Sequence, residues 1–363
     1  MQPPLPEAFE DDALRIPVVS FLGPISSYTH QVVYTLSHFM RPPWSCGLTD
    51  FDLAQAALSS FEADRYNYEP ADSITDVFTA VQSGEAELGV VPFENSTNGA
   101  VIFTFELLAD RHGRFPDITV TAEAYLDVSH YLLGRKSARG VASSQPDSAP
   151  GTPTPANAKP IPPRTMPLYD LKHIKRLYTH PQAWGQCDIF LGAYLKGIER
   201  IDVSSTSRAA EMVSEDTTGT SAAIASSLAA EMHGLDVLAR GIEDRADNTT
   251  RFLIIRKGVD EEAKKSKNKT KSLISFTIDH RSPGSLAKVL DSFRYYDLNL
   301  TSINSRPTKV VPFQYIFFVE FEGSRLNDPL GKVNGALEGV ARHAEDWRWL
   351  GSWDDKLVGH REN

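Results

Sequence analysis

The alternation of short apolar runs with helical apolar stripes is the feature that most limits how this chain can fold. Residues 18–22 and 88–92 are apolar runs followed or ended by a glycine or a proline, as buried strands often are. Residues 26–39 and 73–83 instead carry apolar side chains at helical spacing, and Gly84 follows the second stripe where a helix would end. Strands that alternate with helices predict an α/β fold with a mostly parallel sheet.

A charged segment at residues 257–271 marks a change of pattern. Two helix-like stripes follow it, at residues 285–295 and 330–343. The strand-like runs around them are residues 272–279, 298–304, 315–321 and 347–353. This β-α-β-β-α-β order is the ferredoxin-like arrangement. We therefore expect a first domain (17–256), a linker at the charged segment and a second domain (272–357).

Composition and charge exclude several classes of protein. A chain of 363 residues, 41% of them hydrophobic, can bury sizeable cores, and its formal charge of −10 disfavours nucleic acid and anionic membranes as partners. Cys46 and Cys187 lack the spacing of metal ligands, which favours a reducing compartment over a disulfide framework. No apolar run reaches the ~18 residues of a spanning helix, and residues 1–16 form an extension without a secretory signal. We expect a cytoplasmic protein that uses no metal and no cofactor.

Residues 137–168 interrupt the first domain with a segment rich in proline, serine, threonine and alanine. Such a segment cannot bury enough apolar surface to offset the entropy that ordering would remove. We predict that it is a disordered insertion between two strands. A regulatory or partner-binding segment is the alternative.

Candidate binding residues lie at the ends of predicted strands and at helix starts of the first domain, and α/β folds bind ligands at such strand ends. These residues are Ser27, Thr29, Glu94, Asn95, Ser96, Gly99, His180, Gln182, Ser205, Thr206, Asn248 and Thr250. Hydroxyls at helix starts would form an anion-binding cradle with few cations, because helix N-termini attract carboxylates. Helix capping is the alternative role for Ser96 and Gln182, and a structural role is the alternative for His180.

Residues 23–31, 89–99, 179–183 and 248–252 form four separated motifs. Taken in this order they resemble the prephenate dehydratases, the enzymes that make phenylpyruvate on the route to phenylalanine. The resemblance implies a lyase that removes water and carbon dioxide from prephenate without a cofactor. It also implies a two-lobed catalytic domain like that of the type 2 periplasmic binding proteins, with the active site in the cleft between the lobes.

The resemblance also assigns boundaries and roles. Lobe one would comprise residues 17–94 and 243–256, and lobe two residues 95–242. Thr250 matches the threonine of the family's Thr-Arg-Phe segment and would protonate the leaving hydroxyl, while Phe252 would pack against the substrate. Arg251 would either pair with a substrate carboxylate or tie its strand to a neighbour. The substrate would also contact Ser27, Thr29, Glu94, Asn95, Ser96, Gly99, His180, Gln182, Ser205, Thr206 and Asn248.

Residues 283–286 and 299–307 resemble the ligand-binding segments of ACT domains, which sense amino acids. In the dehydratase family such a domain follows the catalytic one, so the resemblance implies feedback regulation by L-phenylalanine. The residues expected at that site are Gly284, Ser285, Leu286, Leu298, Asn299, Thr301 and Ser305. Sensors of this kind pair with one another, which implies a homodimer or a homotetramer.

The expected protein is a monofunctional prephenate dehydratase, because residues 1–16 are too few for the chorismate mutase domain that is fused to some relatives. Arogenate dehydratase, with the same chemistry on the aminated substrate, is the nearest alternative, and nothing in the residues separates the two. A ligand-sensing protein without catalysis is disfavoured by the missing signal peptide and by the Thr-Arg-Phe segment.

Overall fold

A computed structural model describes residues 16–23, 27, 29, 32, 66–137, 162–259 and 268–357. The strands of this described part are β1 (Val18–Leu22), β2 (Asn67–Ala71), β3 (Leu88–Asn95), β4 (Gly99–Ala100), β5 (Ile118–Asp127), β6 (Tyr131–Gly134), β7 (Arg176–Thr179), β8 (Glu199–Asp202), β9 (Ser221–Ala225), β10 (Asp236–Ala239), β11 (Thr249–Lys257), β12 (Thr270–Thr277), β13 (Leu300–Pro307), β14 (Tyr315–Glu322) and β15 (Asp346–Asp354). Its helices are α1 (Ile74–Ser83), α2 (Ile102–Leu108), α3 (Pro181–Trp184), α4 (Asp188–Tyr194), α5 (Thr206–Glu215), α6 (Ser227–His233), α7 (Ser285–Tyr295) and α8 (Lys332–His343).

Helix α1 shows how the local sequence determines an element. The side chain of Ser73 accepts a hydrogen bond from the backbone N–H of Asp76 at 3.2 Å and so caps the helix. At the other end Gly84 has a φ of 85°, a left-handed conformation that glycine adopts at little cost. Three apolar side chains between these ends are buried: Val77, Phe78 and Val81. The helix predicted at 73–83 is confirmed.

The larger sheet contains the first lobe and continues into the C-terminal domain. Its strand order is β13-β14-β12-β15-β5-β11-β3-β1-β2, and β4 pairs with β3 outside this path. Strands β1, β2 and β3 are parallel to one another, whereas β11 lies antiparallel between β3 and β5. The α/β fold class is confirmed, but the prediction of a mostly parallel sheet is wrong, because most strand pairs of this sheet are antiparallel.

The smaller sheet forms the second lobe, with the order β10-β6-β9-β7-β8. Strands β7, β8 and β9 are parallel, and β6 and β10 complete the sheet in antiparallel pairing. Apolar residues on one face form a core with α3 and α4, among them Leu177, Phe190 and Ile224. A second core on the other face packs α5 and α6, and includes Val213 and Ala229.

The predicted boundary between the lobes at residue 94 is wrong. Strand β5 runs from Ile118 to Asp127 and pairs with β11 along the whole length of that strand, so residues 99–127 belong to lobe one. The second lobe therefore begins after Asp127. Main-chain pairing between strands more than a hundred residues apart fixes this boundary, and no local pattern indicates it.

Two short connections join the lobes, one after Asp127 and one before Thr249. The first enters the second lobe at Tyr131, which pairs with Ala225 at the carboxyl end of β9. The second leaves from Ala239 of β10, beside the same end of the smaller sheet. Both connections also start or finish at the carboxyl edge of the larger sheet. The topology therefore turns the carboxyl edges of the two sheets towards each other, which is where such folds bind ligands.

The C-terminal domain has the predicted β-α-β-β-α-β order, with helix α7 at the predicted residues 285–295. Its strands lie in the order β13-β14-β12-β15, which is the ferredoxin-like arrangement. The linker predicted at 257–271 is shorter, because β11 extends to Lys257 and β12 begins at Thr270.

The two domains share one hydrophobic core. Phe318 and Leu350 of the C-terminal domain belong to the same buried cluster as Phe78 and Phe105 of lobe one. The rings of Phe105 and Phe318 meet edge to face with their centroids 5.2 Å apart. Strand β15 also pairs with β5, through Gly351 and Val120. The C-terminal domain is thus integrated into the first lobe.

An acidic side chain on α2 reinforces the domain junction. Glu106 accepts hydrogen bonds from Lys309 at 2.6 Å, Arg111 at 2.8 Å and Arg306 at 3.0 Å, two of which come from the C-terminal domain. Burial alone would raise the pKa of Glu106, but the hydrogen bonds from these three cations outweigh it and lower the pKa from 4.5 to about 2.

The end of the proline-rich segment is ordered, which corrects part of the insertion predicted at 137–168. Residues 138–161 lie outside the described residues. The Arg164 guanidinium pairs with the Glu243 carboxylate at 2.9 Å, and the Leu168 N–H donates to the carbonyl of Leu238. Residues 162–168 are therefore attached to lobe two. The predicted extension at 1–16 is outside the described part except for Ile16.

None of the helices in the described ranges is both long enough and apolar enough to cross a membrane.

We predict that Phe318→Ala lowers the free energy of unfolding by about 3–5 kcal/mol, the usual scale for emptying a buried phenylalanine site. Because the core is shared, the catalytic and C-terminal domains should still unfold in a single calorimetric transition at a lower temperature. Phe317→Ala is the matched control, since Phe317 is only half-buried and contacts the separate core of the C-terminal domain. Two separate transitions, of which Phe318→Ala moves only one, would contradict a shared core.

Candidate active site

The candidate active site lies at the carboxyl edge of the larger sheet. Strand β3 ends there at Asn95, and β11 begins there at Thr249. The antiparallel pairing of these strands places Thr250 directly beside Asn95. The same pairing brings together two motifs that are more than 150 residues apart in the sequence.

Asn95 holds the Thr250 hydroxyl. Its amide nitrogen donates to Thr250 Oγ1 at 2.9 Å and to Asn248 Oδ1 at 2.8 Å. Its carbonyl oxygen accepts from the backbone N–H groups of Thr97 and Asn98, which fixes which end of the amide faces Thr250. Because Thr250 Oγ1 accepts this hydrogen bond, its own proton is free to be donated elsewhere.

Ser96 ties the turn after β3 to the segment that returns from lobe two. Its hydroxyl donates to the carbonyl of Asp247 at 2.8 Å and accepts from the N–H of Thr249 at 2.9 Å. The N-cap of α2 is Val101 rather than Ser96, so the capping role considered for Ser96 is wrong. The Thr249 hydroxyl in turn bonds the carboxylate of Asp127, the last residue of β5, at 2.5 Å.

Arg251 lies on the opposite face of β11 from Thr250, because successive side chains of a strand point to opposite faces. Arg251 is 6% exposed. Its Nη2 atom lies 2.6 Å from a carboxylate oxygen of Glu123 and 2.5 Å from a carboxylate oxygen of Glu320. Burial acts to lower the pKa of Arg251, but the two carboxylates outweigh it and raise the pKa. The structural alternative for Arg251, a tie between β11 and its neighbours, is therefore observed, and its pairing with a substrate carboxylate stays a prediction.

Phe252 is buried in a core cluster with Val19, Phe21 and Ile254. Its ring therefore supports the strand from inside the lobe, and its packing against a substrate stays a prediction. The register between β11 and β3 shifts by one residue between Arg251 and Phe252. Such bulges occur next to active sites, where they change the direction of a side chain.

The carboxyl edge of the smaller sheet carries helix starts. Ser205 caps α5, accepting from the Arg208 N–H at 3.0 Å, and Thr206 is the first residue of that helix. His180 caps α3 through Nδ1, which accepts from the Gln182 N–H at 3.3 Å, while the Gln182 side chain is exposed. The capping role for Gln182 is wrong; a structural role for His180 is observed, and its contact with a substrate stays a prediction.

Sequence reasoning missed one residue at this edge. Ser226 follows β9, is 2% exposed, and caps α6 by accepting from the Ala229 N–H at 3.3 Å. The signal that could have found it is a hydroxyl directly after the apolar run of β9.

The other predicted residues of lobe one also lie near its carboxyl edge. Ser27 donates from its hydroxyl to the Leu22 carbonyl at 3.3 Å, and Thr29 is buried in a helical turn. Glu94 is half-buried, and its Oε2 atom lies 3.9 Å from Nη1 of Arg251. Gly99 has a φ of 76°, and a side chain added there would meet open space. The structure thus gathers these residues at one edge.

The residues predicted to sense phenylalanine form a turn and part of an edge strand. Gly284 has a φ of 79° and precedes α7, and the Ser285 hydroxyl donates to the Ser282 carbonyl. Thr301 donates from its hydroxyl to Glu320 at 2.7 Å, and Asn299 donates to Glu322 at 3.2 Å. Three further candidates complete the set: Leu286 and Leu298, both half-buried, and Ser305, which is exposed.

A family model described as prephenate dehydratase matches residues 53–259, more than half of the chain. The chain belongs to the prephenate dehydratase family. The matched range contains Asn95, Thr250 and both connections between the lobes. The predicted resemblance to the prephenate dehydratases is therefore confirmed.

Curated relatives and solved structures of prephenate dehydratases agree with this membership. The chain is 32% identical over 288 residues to the prephenate dehydratase of Methanocaldococcus jannaschii, covering 79% of this chain and 88% of the relative. It is 29% identical over 340 residues to the bifunctional chorismate mutase/prephenate dehydratase of Aquifex aeolicus, covering 94% and 74%. The prephenate dehydratase of Arthrobacter aurescens, solved in complex with L-Phe, superposes with a TM-score of 0.66 and 26% identity, covering 93% and 90%.

We predict that Asn95→Asp lowers prephenate dehydratase turnover roughly 10–100-fold, because the new carboxylate would accept the Thr250 proton instead of donating to its oxygen. The turn would persist, since the oxygen that accepts from Thr97 and Asn98 is retained. Asn98→Asp introduces the same charge in the same exposed turn and is the matched control. Equal turnover in both variants would show that Asn95 does not hold the Thr250 hydroxyl for catalysis.

Proposed function

We propose that this chain converts prephenate to phenylpyruvate, water and carbon dioxide, with Thr250 as the proton donor. The observation that carries the proposal is the Thr250 hydroxyl, which Asn95 holds at the inner edge of a two-lobed fold in a member of this family.

The reaction needs few chemical groups from the protein. The bond between the ring and its carboxylate breaks, and its electron pair enters the ring as carbon dioxide departs. The ring expels its hydroxyl group, which takes up one proton and leaves as water. Because the product ring is aromatic, formation of that ring drives the reaction. The protein must supply a proton at the departing oxygen and hold the two carboxylates of the substrate in place.

Thr250 suits the proton transfer because its hydrogen bonds are ordered. Asn95 donates to its oxygen, so the hydroxyl presents its hydrogen to the departing group. A threonine hydroxyl is a weak acid, and it acts effectively only where water is excluded and the geometry is fixed. Closure of the two lobes around the substrate would provide that exclusion, since the lobes are joined only by the two short connections in the described residues.

Carboxylate binding is assigned to the edge of lobe two. Helix α5 has ten residues, and its start carries Ser205 and Thr206. The free N–H groups and the dipole at such a helix start favour a carboxylate. An anion site of this kind requires no cluster of cations, which suits an acidic chain.

We expect the purified protein to release phenylpyruvate from prephenate, and Thr250→Ala to lower turnover roughly 100-fold or more, the usual scale for losing a positioned proton donor. Thr250→Ser, which keeps the hydroxyl, should retain much of the turnover. Thr79→Ala on the exposed face of α1 is the control for a lost threonine. Phenylpyruvate is followed by its absorbance at alkaline pH. A folded Thr250→Ala enzyme with normal turnover would remove Thr250 from the mechanism.

The same assay with arogenate decides the substrate. The product would then be phenylalanine, and the ratio of kcat/KM for the two substrates measures the preference. A much larger kcat/KM for arogenate would show that arogenate is the substrate instead of prephenate. The role of Thr250 would be unchanged.

The second part of the proposal is that the C-terminal domain binds L-phenylalanine and inhibits the enzyme. The similar dehydratase of Arthrobacter aurescens was solved in complex with L-Phe, which supports this ligand. Gly284 lets the backbone before α7 approach a carboxylate closely, and the described part of β13 has a single neighbouring strand, β14. A second copy of the chain that pairs along β13 would complete the site, so the proposed assembly is at least a dimer.

We predict that millimolar L-phenylalanine raises the melting temperature of the protein and inhibits its dehydratase activity. Gly284→Val should weaken both effects, because a β-branched residue is strained at a φ of 79° and its side chain would approach the ligand carboxylate. Gly113→Val, at a φ of 62° in an exposed turn of lobe one, controls for the strain alone. No thermal shift and no inhibition in the parent protein would withdraw the sensing role and leave the catalytic proposal standing.

A further inference from the structure

A buried cluster of charges lies where the C-terminal domain meets the catalytic strand β11. Its cations are Arg251 and Lys271, and its carboxylates are Glu123, Glu320 and Asp355. All five side chains are 8% exposed or less. Arg251 and Glu123 belong to lobe one, whereas the other three come from the C-terminal domain.

The cluster contains one carboxylate more than its cations neutralise. Burying charge is costly, and a buried ion pair by itself is weak evidence for stability. Glu123 and Asp355 already match the two cations in number. Glu94, the further carboxylate near Arg251, has a side chain that is 44% exposed and is therefore screened by water. One of the three buried carboxylates therefore exceeds the number of cations, and Glu320 is the one that also bonds Thr301 outside the cluster.

Glu320 connects two places that matter for function. One carboxylate oxygen accepts from the Thr301 hydroxyl at 2.7 Å, in the segment proposed to bind phenylalanine. The other oxygen lies 2.5 Å from Arg251 Nη2, on the residue that follows Thr250 in β11. A change at Thr301 therefore reaches the catalytic strand through a single side chain.

Arg251 also has a buried hydrogen-bond donor that it does not use among the described residues. Its Nη2 atom meets both Glu123 and Glu320, while its buried Nε atom has no hydrogen-bond partner among the described residues. An unused donor beside two carboxylates offers a second arrangement, in which Nε takes one of the carboxylates within the same cluster. Coupling between sites requires such an element with two arrangements.

We propose that Glu320 is a positioning residue, which links the segment around Thr301 to Thr250 through Arg251. In one arrangement Glu320 holds Arg251 and fixes the start of β11, so that Thr250 stays beside Asn95. When a ligand forms a hydrogen bond with the Thr301 hydroxyl, Glu320 loses that bond and its contact with Arg251 changes. The start of β11 then shifts, and the Thr250 hydroxyl is no longer aligned for catalysis. This proposal rests on the proposed roles of Thr250 in catalysis and of the C-terminal domain in phenylalanine sensing.

The test uses Glu320→Gln in the full-length chain. This change keeps the shape of the side chain and leaves two cations facing two carboxylates, so we expect the variant to fold. Without phenylalanine, kcat should fall about 10-fold while KM for prephenate changes less than about threefold, because only the positioning of Thr250 is affected. Glu338→Gln, on the exposed face of α8, is the matched control and should behave as the parent.

The second readout separates binding from inhibition. Calorimetry should show that Glu320→Gln still binds L-phenylalanine, whereas saturating phenylalanine should inhibit it at least about fivefold less than the parent, the lower end of common allosteric couplings. A parent-like kcat together with full inhibition in Glu320→Gln would overturn the proposal. A parent that neither binds nor responds to phenylalanine would refute the sensing role, and the fall in kcat would then decide the positioning role alone.

Thr301→Val provides a second variant that leaves the pair of Arg251 and Glu320 intact. If phenylalanine still binds it by calorimetry, saturating phenylalanine should inhibit it at least about threefold less than the parent, because the hydrogen bond to Glu320 is gone. Full inhibition of this variant would overturn the link through Glu320, also in the case that Glu320→Gln fails to fold.

Discussion

The antiparallel pairing of β11 with β3 and β5 is the interaction on which the rest of the structure depends. The chain reaches β11 only after completing lobe two, and this strand then enters the middle of the larger sheet. Its pairing closes lobe one and sets the length of both connections between the lobes. The same pairing places Thr250 against Asn95, so the candidate site forms only when the most distant part of the catalytic domain has been added. Long-range pairing of this kind is slow to form, because loop closure must precede the contacts that stabilise it.

The period of two along β11 explains how one strand serves two purposes. Thr250 faces the cleft edge, and Arg251 faces the domain junction. Leu253 and Ile255 continue on the junction face into the shared core, whereas Phe252 and Ile254 fill the other core of lobe one. Three consecutive residues that look like one motif in the sequence therefore belong to three environments: cleft, ionic cluster and core. A role for the whole motif in catalysis does not follow from its continuity.

Local elements could be predicted from the sequence, and long-range partners could not. Helices α1 and α7 were predictable because a cap or an apolar stripe and a glycine mark each of them within about a dozen residues. The order of strands and helices in the C-terminal domain followed from the same kind of signal. The end of lobe one at Asp127 was not predictable, because it is defined by the pairing of β5 with β11. Likewise Arg251 meets Glu320, 69 residues further along the chain, and no local pattern indicates a partner at such a distance.

The shared core also limits how the C-terminal domain can influence the site. Phe318, Leu350 and Trp353 are buried against lobe one, so this domain cannot swing away as a separate body without exposing that apolar surface. Sheet pairing through Gly351 and Val120 adds a main-chain connection at the same junction. A hinge motion at the linker would therefore cost much free energy, so it is disfavoured as the means by which ligand binding in the C-terminal domain affects the site. Rearrangement of hydrogen bonds and ion pairs within the junction costs far less, because each group can exchange one partner for another while the packed faces stay in contact. Any regulation in this protein is thus expected to act through polar groups at the junction and to leave the relative position of the two domains nearly unchanged.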